Sequence, residues 1–229
     1  MRRVAVYAGT RNVYSQMTAA CKSLLSHTRV DRVWFLIEDD AFPEELPDVI
    51  QCHNVSEQAY FDHDGPNYSS AWTYMSLIRL ALPRILCHED RVLWLDIDTI
   101  VMKDIGELFD TEMKGNQVAM VEEPVRSKYP FRYHNAGVLL MDLQRMRAEG
   151  DWRKMIRLVN REAYTAMDQD MLNLFLQGEI LTLKPEWNDA GTITQPTKDP
   201  YIRHFAGNLK GSGWELFDQY ARAEWRIKT

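Results

Sequence analysis

The chain has 229 residues, 45% of them hydrophobic and 11% aromatic, with a formal net charge of −6. This is enough apolar material for a substantial core and unlike a disordered composition, and the acidic balance argues against a nucleic-acid binder, which carries a basic footprint. Three cysteines, Cys21, Cys52 and Cys87, are odd in number and widely spaced, which fits a reducing compartment. Arg2-Arg3 precede an apolar run too short for a signal-peptide core or a membrane span, so the expectation is a soluble, cytoplasmic protein.

Residues 3–8 alternate into a strand, and Gly9-Thr10-Arg11-Asn12 is a polar turn. Residues 15–25 carry Met17, Ala20, Cys21, Leu24 and Leu25 at helical spacing. A second strand, 33–37, is closed by Glu38-Asp39-Asp40, and a third is expected over 49–55. After a turn-rich stretch, 71–86 reads as a helix with Pro83 near its end. Val92 to Leu95 is a continuous apolar run of the kind buried in parallel sheets. Beyond it come a short helix at 105–109, a strand at 117–121, a loop at 122–133 and a strand at 136–142. Helices at 152–164 and 168–177 follow, then a last strand at 180–183 and a turn-rich remainder. The alternation predicts one α/β domain over 1–229, Rossmann-like, with a mostly parallel central sheet flanked by helices. Such sheets bind ligands at the carboxyl ends of their strands.

Asp96-Ile97-Asp98 stands at one of those ends. Two carboxylates one residue apart are costly to bury unless a cation neutralises them, and a divalent metal is the economical explanation. The plainer account is a solvated strand end, since an isolated Asp-x-Asp is common. Leu95 to Ile100 also fits the Asp-x-Asp-x-Thr of haloacid-dehalogenase-like phosphatases, with Asp96 as nucleophile and Asp98 as general acid. That signature ends the first strand of its fold, whereas several strands come earlier here.

Four further stretches decide the matter: His134-Asn135-Ala136-Gly137 before an apolar run, Asp168-Gln169-Asp170-Met171-Leu172-Asn173, Pro185-Glu186-Trp187-Asn188, and Ile202-Arg203-His204-Phe205-Ala206-Gly207 with Lys210 and Trp214. Their order and spacing resemble the family 8 retaining glycosyltransferases, which include glycogenin and bacterial lipopolysaccharide galactosyl- and glucosyltransferases. The resemblance runs from about residue 4 to 214. It implies a GT-A fold and transfer of a hexose from a UDP-sugar, with Mn²⁺ or Mg²⁺, to a glycan, glycolipid or protein acceptor.

The resemblance also assigns roles. Asp96, Asp98 and His204 are the expected metal ligands, a donor set suited to Mn²⁺ or Mg²⁺. Ala8, Thr10, Asn12 and Tyr14 are expected to cradle the uridine, with Tyr14 stacking on uracil. Arg79 is expected to face the donor phosphate or sugar, and Asp96 and Ile97 are expected to take part in donor binding. Asn135, Ala136 and Gly137 are expected to bring backbone amides against the sugar, because small side chains allow close approach. Lys210 is expected on the diphosphate, although Lys210-Gly211-Ser212-Gly213-Trp214 departs from the usual Lys-Pro-Trp ending. Asp168 and Gln169 are expected beside the anomeric carbon. Neutral Gln169 is a poor nucleophile, so front-face attack is favoured over double displacement. Asp170 is expected to hold its helix; Glu122 and Glu123 could reach the sugar or acceptor, but a solvated loop is the favoured expectation.

A basic, aromatic tail (Arg222, Trp225-Arg226-Ile227-Lys228) allows peripheral membrane contact, but a packed terminal helix over 215–229 is the better expectation. A non-catalytic nucleotide-sugar-binding module is the third alternative; the intact set Asp96, Asp98, Gln169, His204 and Lys210 argues against it.

Overall fold

The computed structural model describes residues 1–69, 72–124, 129–191, 193–206 and 214–229. Its strands are β1 (Val4–Ala8), β2 (Arg32–Ile37), β3 (Ile50–Asn54), β4 (Arg91–Leu95), β5 (Thr99–Val101), β6 (Val118–Glu122), β7 (His134–Asp142), β8 (Ile180–Leu183) and β9 (Ile202–His204). The helices are α1 (Tyr14–His27), α2 (Thr73–Ile85), α3 (Gly106–Phe109), α4 (Leu143–Glu149), α5 (Asp151–Val159), α6 (Met167–Phe175) and α7 (Trp214–Arg222). A seven-stranded sheet runs in the order β3-β2-β1-β4-β7-β6-β8, and β5 and β9 pair separately.

The continuous apolar runs become strands buried on both faces. Successive residues point to opposite faces, so Val4, Val6, Trp94, Leu139 and Met141 join one core with α2, α4, α5 and α6. Ala5, Tyr7, Leu93, Leu95, Val138 and Leu140 join the other, with α1, α3, α7 and the small β5–β9 sheet. Every neighbour in the large sheet is parallel except β7, which runs antiparallel to both β4 and β6. The carboxyl ends of β1, β4 and β6 therefore share one edge with the start of β7, not its end. Asn135-Ala136-Gly137 precedes its apolar run for this reason, while Asp96 follows its own.

Between β6 and β7 the register breaks: Met120 pairs with Leu139, but Val121 pairs with Asn135. Residues 136–138 thus lose their β6 partners and leave backbone groups to be satisfied by side chains.

Some boundaries differ from expectation. The helix expected over 152–164 stops at Val159 because buried Asn67 donates to the carbonyls of Val159 and Glu162 and accepts from the Tyr164 amide. Before it stands α4, unexpected from periodicity, with Asp142 accepting from the Arg145 amide at its start and left-handed Gly150 at its end. Residues 180–183 are not the last strand; the three-residue β9 is. The terminal helix ends at Arg222 rather than 229. The chain then returns along α1, where the Lys228 amide donates to the Leu25 carbonyl at 2.8 Å and Lys22 lies over the Trp225 ring. Among the described residues no helix is long and apolar enough to cross a membrane.

Because the sheet is covered on both faces, Leu139→Ala and Leu140→Ala should each cost about 2–5 kcal/mol by urea unfolding. A near-neutral result for either would mean that its face of the sheet is open.

Candidate active site

Asp96, Asp98 and His204 converge at the shared edge, each offering one ligand atom, all within 4.8 Å of one another. The Asp-x-Asp turn follows β4 and is held by the Asp96 amide donating to the Gly137 carbonyl at 2.8 Å and by the Thr99 hydroxyl donating to the Asp96 carbonyl. His204 arrives from far along the sequence because β9 pairs antiparallel with β5, Thr99 opposite His204. Its Nε2 stands 3.3 Å from Asp98 Oδ1 and 3.9 Å from Asp96 Oδ2. Burial disfavours the charged ring, yet Asp98 and Asp96 raise its pKa above the ordinary value. Asp98 sits below the usual carboxylate range: His204 and Arg79 outweigh its own desolvation.

Gly137 has a packing role beside His204. A Cβ at this position would lie 2.1 Å from His204 Cε1. The absent side chain makes room for the imidazole.

Arg79, 4% exposed, is wholly engaged within the protein. Its guanidinium donates to Asp96 Oδ1 at 2.8 Å and to the Ala136 carbonyl at 2.6 Å, contacts Asp168 Oδ2 at 3.0 Å, and stacks 4.5 Å over Trp94. The Trp94 indole also donates to Asp96 Oδ1. The guanidinium thus spans the two acidic centres of the site. Burying an arginine requires that its charge be met, and these carboxylates are what the surroundings supply.

Asp168 and Gln169 occupy the first turn of α6. Gln169 Oε1 accepts from the Ala136 amide at 2.9 Å and its Nε2 donates to Glu123 at 3.0 Å. Asn135 Nδ2 donates to the same carboxylate oxygen. Glu123 is 1% exposed, which corrects the solvated-loop expectation: it directly follows β6 and is drawn inward by two amide groups. Asn135 Oδ1 accepts from the Gly137 amide and from Asn188 Nδ2, and Asn188 Oδ1 lies 2.8 Å from His204 Nδ1. Asp170 holds its helix as expected, accepting from the hydroxyls of Tyr129 and Tyr133 and from the Ala166 amide. Both helices that feed the site begin at non-glycine residues with positive φ, Thr73 at 59° and Met167 at 38°.

The β1 turn lies beside the Asp-x-Asp, since a Cβ on Gly9 would come within 3.9 Å of Ile97 Cγ2. Ala8 is buried, Thr10 and Ile97 are half-buried, and Asn12 is exposed. The Thr10 hydroxyl donates to Asn12 Oδ1. Tyr14 departs from expectation. Its ring is buried against Phe42, and its hydroxyl donates to Asp39 while accepting from the Glu38 amide. A ring packed this way has no free face for a base; it fixes the acidic end of β2 instead. Lys210 lies outside the described residues. Glu123, Trp94 and Asn188 were not singled out for these tasks from the sequence, although each lies within or next to a motif that was.

Two predictions follow from this geometry. Gly137→Ala should displace His204 and weaken any divalent-metal binding at Asp96, Asp98 and His204 at least about tenfold, comparable to loss of a supporting contact, with circular dichroism unchanged; calorimetric titration checks it. Burial pushes Asp168 up to about 6, Arg79 opposing and Asp96 reinforcing the shift. An acid whose pKa is higher folded than unfolded favours folding below the unfolded value, and loses that contribution as pH rises through the folded one. The stability of the metal-free wild type relative to Asp168→Asn should therefore fall between about pH 4 and pH 6 and level off above. A flat difference would show that the shift is absent.

The chain is similar in sequence and fold to known proteins. A family model, Glycosyl transferase family 8, matches residues 5–211. Glycosyltransferase GlyE of Streptococcus pneumoniae serotype 4 is 27% identical over 201 residues, 82% of this chain and 48% of GlyE. The lipopolysaccharide 1,2-glucosyltransferase of Escherichia coli K12 is 31% identical over 123 residues, 48% of this chain and 36% of that protein. The chain thus spans about half or less of these relatives' length. Among solved structures, the galactosyltransferase LgtC, determined with donor and acceptor sugar analogs, superposes with a TM-score of 0.72 at 22% identity, covering 98% of this chain and 97% of LgtC. The α/β architecture is accordingly the GT-A fold, and the chain belongs to glycosyl transferase family 8.

Proposed function

We propose that the protein is a retaining hexosyltransferase that moves a hexose from a UDP-sugar to an acceptor hydroxyl on a glycan, glycolipid or protein, with residues 1–229 acting as one cytoplasmic domain. The observation that carries this is the convergence of Asp96, Asp98 and His204 with Asp168 and Gln169 through Arg79, which touches both groups. Two carboxylates and an imidazole fit Mn²⁺ or Mg²⁺, and the acidic surroundings, with Glu123 and Asp168 added, favour a cation. When bound, such an ion would act as a Lewis acid for the charge developing on the diphosphate.

The chain's own residues do the rest. Ala8, Thr10 and Asn12 line the turn offered to the uridine, and Lys210 is proposed for the diphosphate. Asp168 offers an acceptor for a sugar hydroxyl. The Gln169 carbonyl, held by the Ala136 amide, presents a neutral dipole near the anomeric carbon rather than a nucleophile. Front-face attack, with the leaving phosphate taking the acceptor proton, then follows. The phosphatase alternative is set aside: Asp96, its required nucleophile, is bound by Arg79 and Trp94, and family membership gives it no support.

Purified protein with Mn²⁺ should be stabilised by a UDP-sugar through mass action and should release UDP during transfer or slow hydrolysis. Asp98→Asn should abolish metal-dependent donor stabilisation in the same thermal assay. Hydrolysis of phosphomonoesters without any UDP-sugar binding would overturn the proposal.

A further inference from the structure

We infer that Asn188 is a positioning residue that fixes His204 with its ring proton on Nδ1, leaving Nε2 as the ligand atom. The inference rests on the metal-ligand role of His204 proposed above. Its support is a chain of hydrogen bonds whose direction is determined at one end. The Gly137 amide can only donate, so the group 2.9 Å from it is the Asn135 side-chain oxygen. Asn135 consequently turns its amide nitrogen to the Glu123 carboxylate, also at 2.9 Å. The Asn188 atom 2.8 Å from that Asn135 oxygen must be a donor, its Nδ2. The oxygen of Asn188 is then the atom 2.8 Å from His204 Nδ1. A carbonyl oxygen has no proton to give, so the ring nitrogen must supply it.

The opposite tautomer would set two lone pairs against each other at that distance. Water offers no escape: Asn188 is fully buried, and its backbone is held as well, the N–H donating to the Pro185 carbonyl at 3.0 Å and the backbone carbonyl accepting from the Thr194 hydroxyl at 2.9 Å. With Nδ1 occupied, Nε2 is the ring nitrogen that faces Asp98 and Asp96, and it would be free to serve as a metal ligand once it is deprotonated. A second branch ends at Gln169, which bonds the Ala136 amide and the same Glu123 oxygen. Asn188 thereby joins the metal-facing side of the cleft to the side that faces the anomeric carbon.

Two substitutions separate these ends. Asn188→Ala removes the acceptor, whereas Asn188→Asp keeps an oxygen toward His204 but turns an oxygen on Asn135. Long-range ¹H–¹⁵N spectra of the metal-free protein, at a pH where the imidazole is neutral, report the His204 tautomer, with His204→Ala providing the assignment. The expected result is Nδ1–H in the wild type and in Asn188→Asp, and a mixed or Nε2–H ring in Asn188→Ala. Mn²⁺ affinity by calorimetry should fall about 10–100-fold in Asn188→Ala and stay close to wild type in Asn188→Asp, whose kcat should drop with KM for the donor little changed. An Asn188→Ala ring that remains Nδ1–H with wild-type affinity overturns the inference. If Asn188→Ala fails to fold, Asn188→Asp decides: an Nε2–H ring there overturns it equally. An Nδ1–H ring in a wild type that binds no Mn²⁺ would support the tautomer assignment and sink the metal role instead.

Discussion

The buried Arg79 guanidinium is the constraint on which the site depends. Desolvating an arginine costs several kcal/mol unless its charge is met. Here Asp96, Asp168, the Ala136 carbonyl and the Trp94 ring meet it from four sides. Those partners come from the end of β4, the start of α6 and the start of β7, so one side chain on α2 sets the spacing of three elements. The carboxylates in turn are kept from repelling one another. The result is a cleft whose two acidic ends are held in place by the protein itself.

The strand-and-helix order was readable because buried strands and amphipathic helices leave strong periodicities, and strands 33–37 and 92–95 fall inside β2 and β4. What could not be read depended on geometry. Strands of three residues such as β5 and β9 carry no period, yet their pairing alone brings His204 to Asp98. The motif residues meet at one edge, but the motif does not say what each touches. Arg79 turned inward because acidic partners surround it; Tyr14 found Phe42 and Asp39 before any base. Glu123 looked like a loop residue because the chain around it is rich in Pro, Tyr and Arg. Its burial follows from the amides of Asn135 and Gln169, far from it in sequence or on another strand.

The break in register between β6 and β7 explains why the Asn-Ala-Gly stretch is chemically useful. An ordinary ladder would have consumed the backbone groups of Ala136 and Gly137. Released from it, they hold Gln169, Asn135, Arg79 and Asp96 instead. Backbone groups cannot rotate as side chains do, so they give the surrounding amides a fixed sense. Precision in the cleft is inherited from the sheet.

The reversed course of β7 has a wider consequence for how such a protein can change. The loop before it is clipped at its base: the Glu123 amide donates to the Tyr133 carbonyl, and the hydroxyls of Tyr129 and Tyr133 are anchored on Asp170 of α6. Lengthening a loop whose ends are already closed costs only about 0.6 kcal/mol per doubling. With both ends of this segment tied to the sheet and to α6, its length can change while the strands and the helix keep their places.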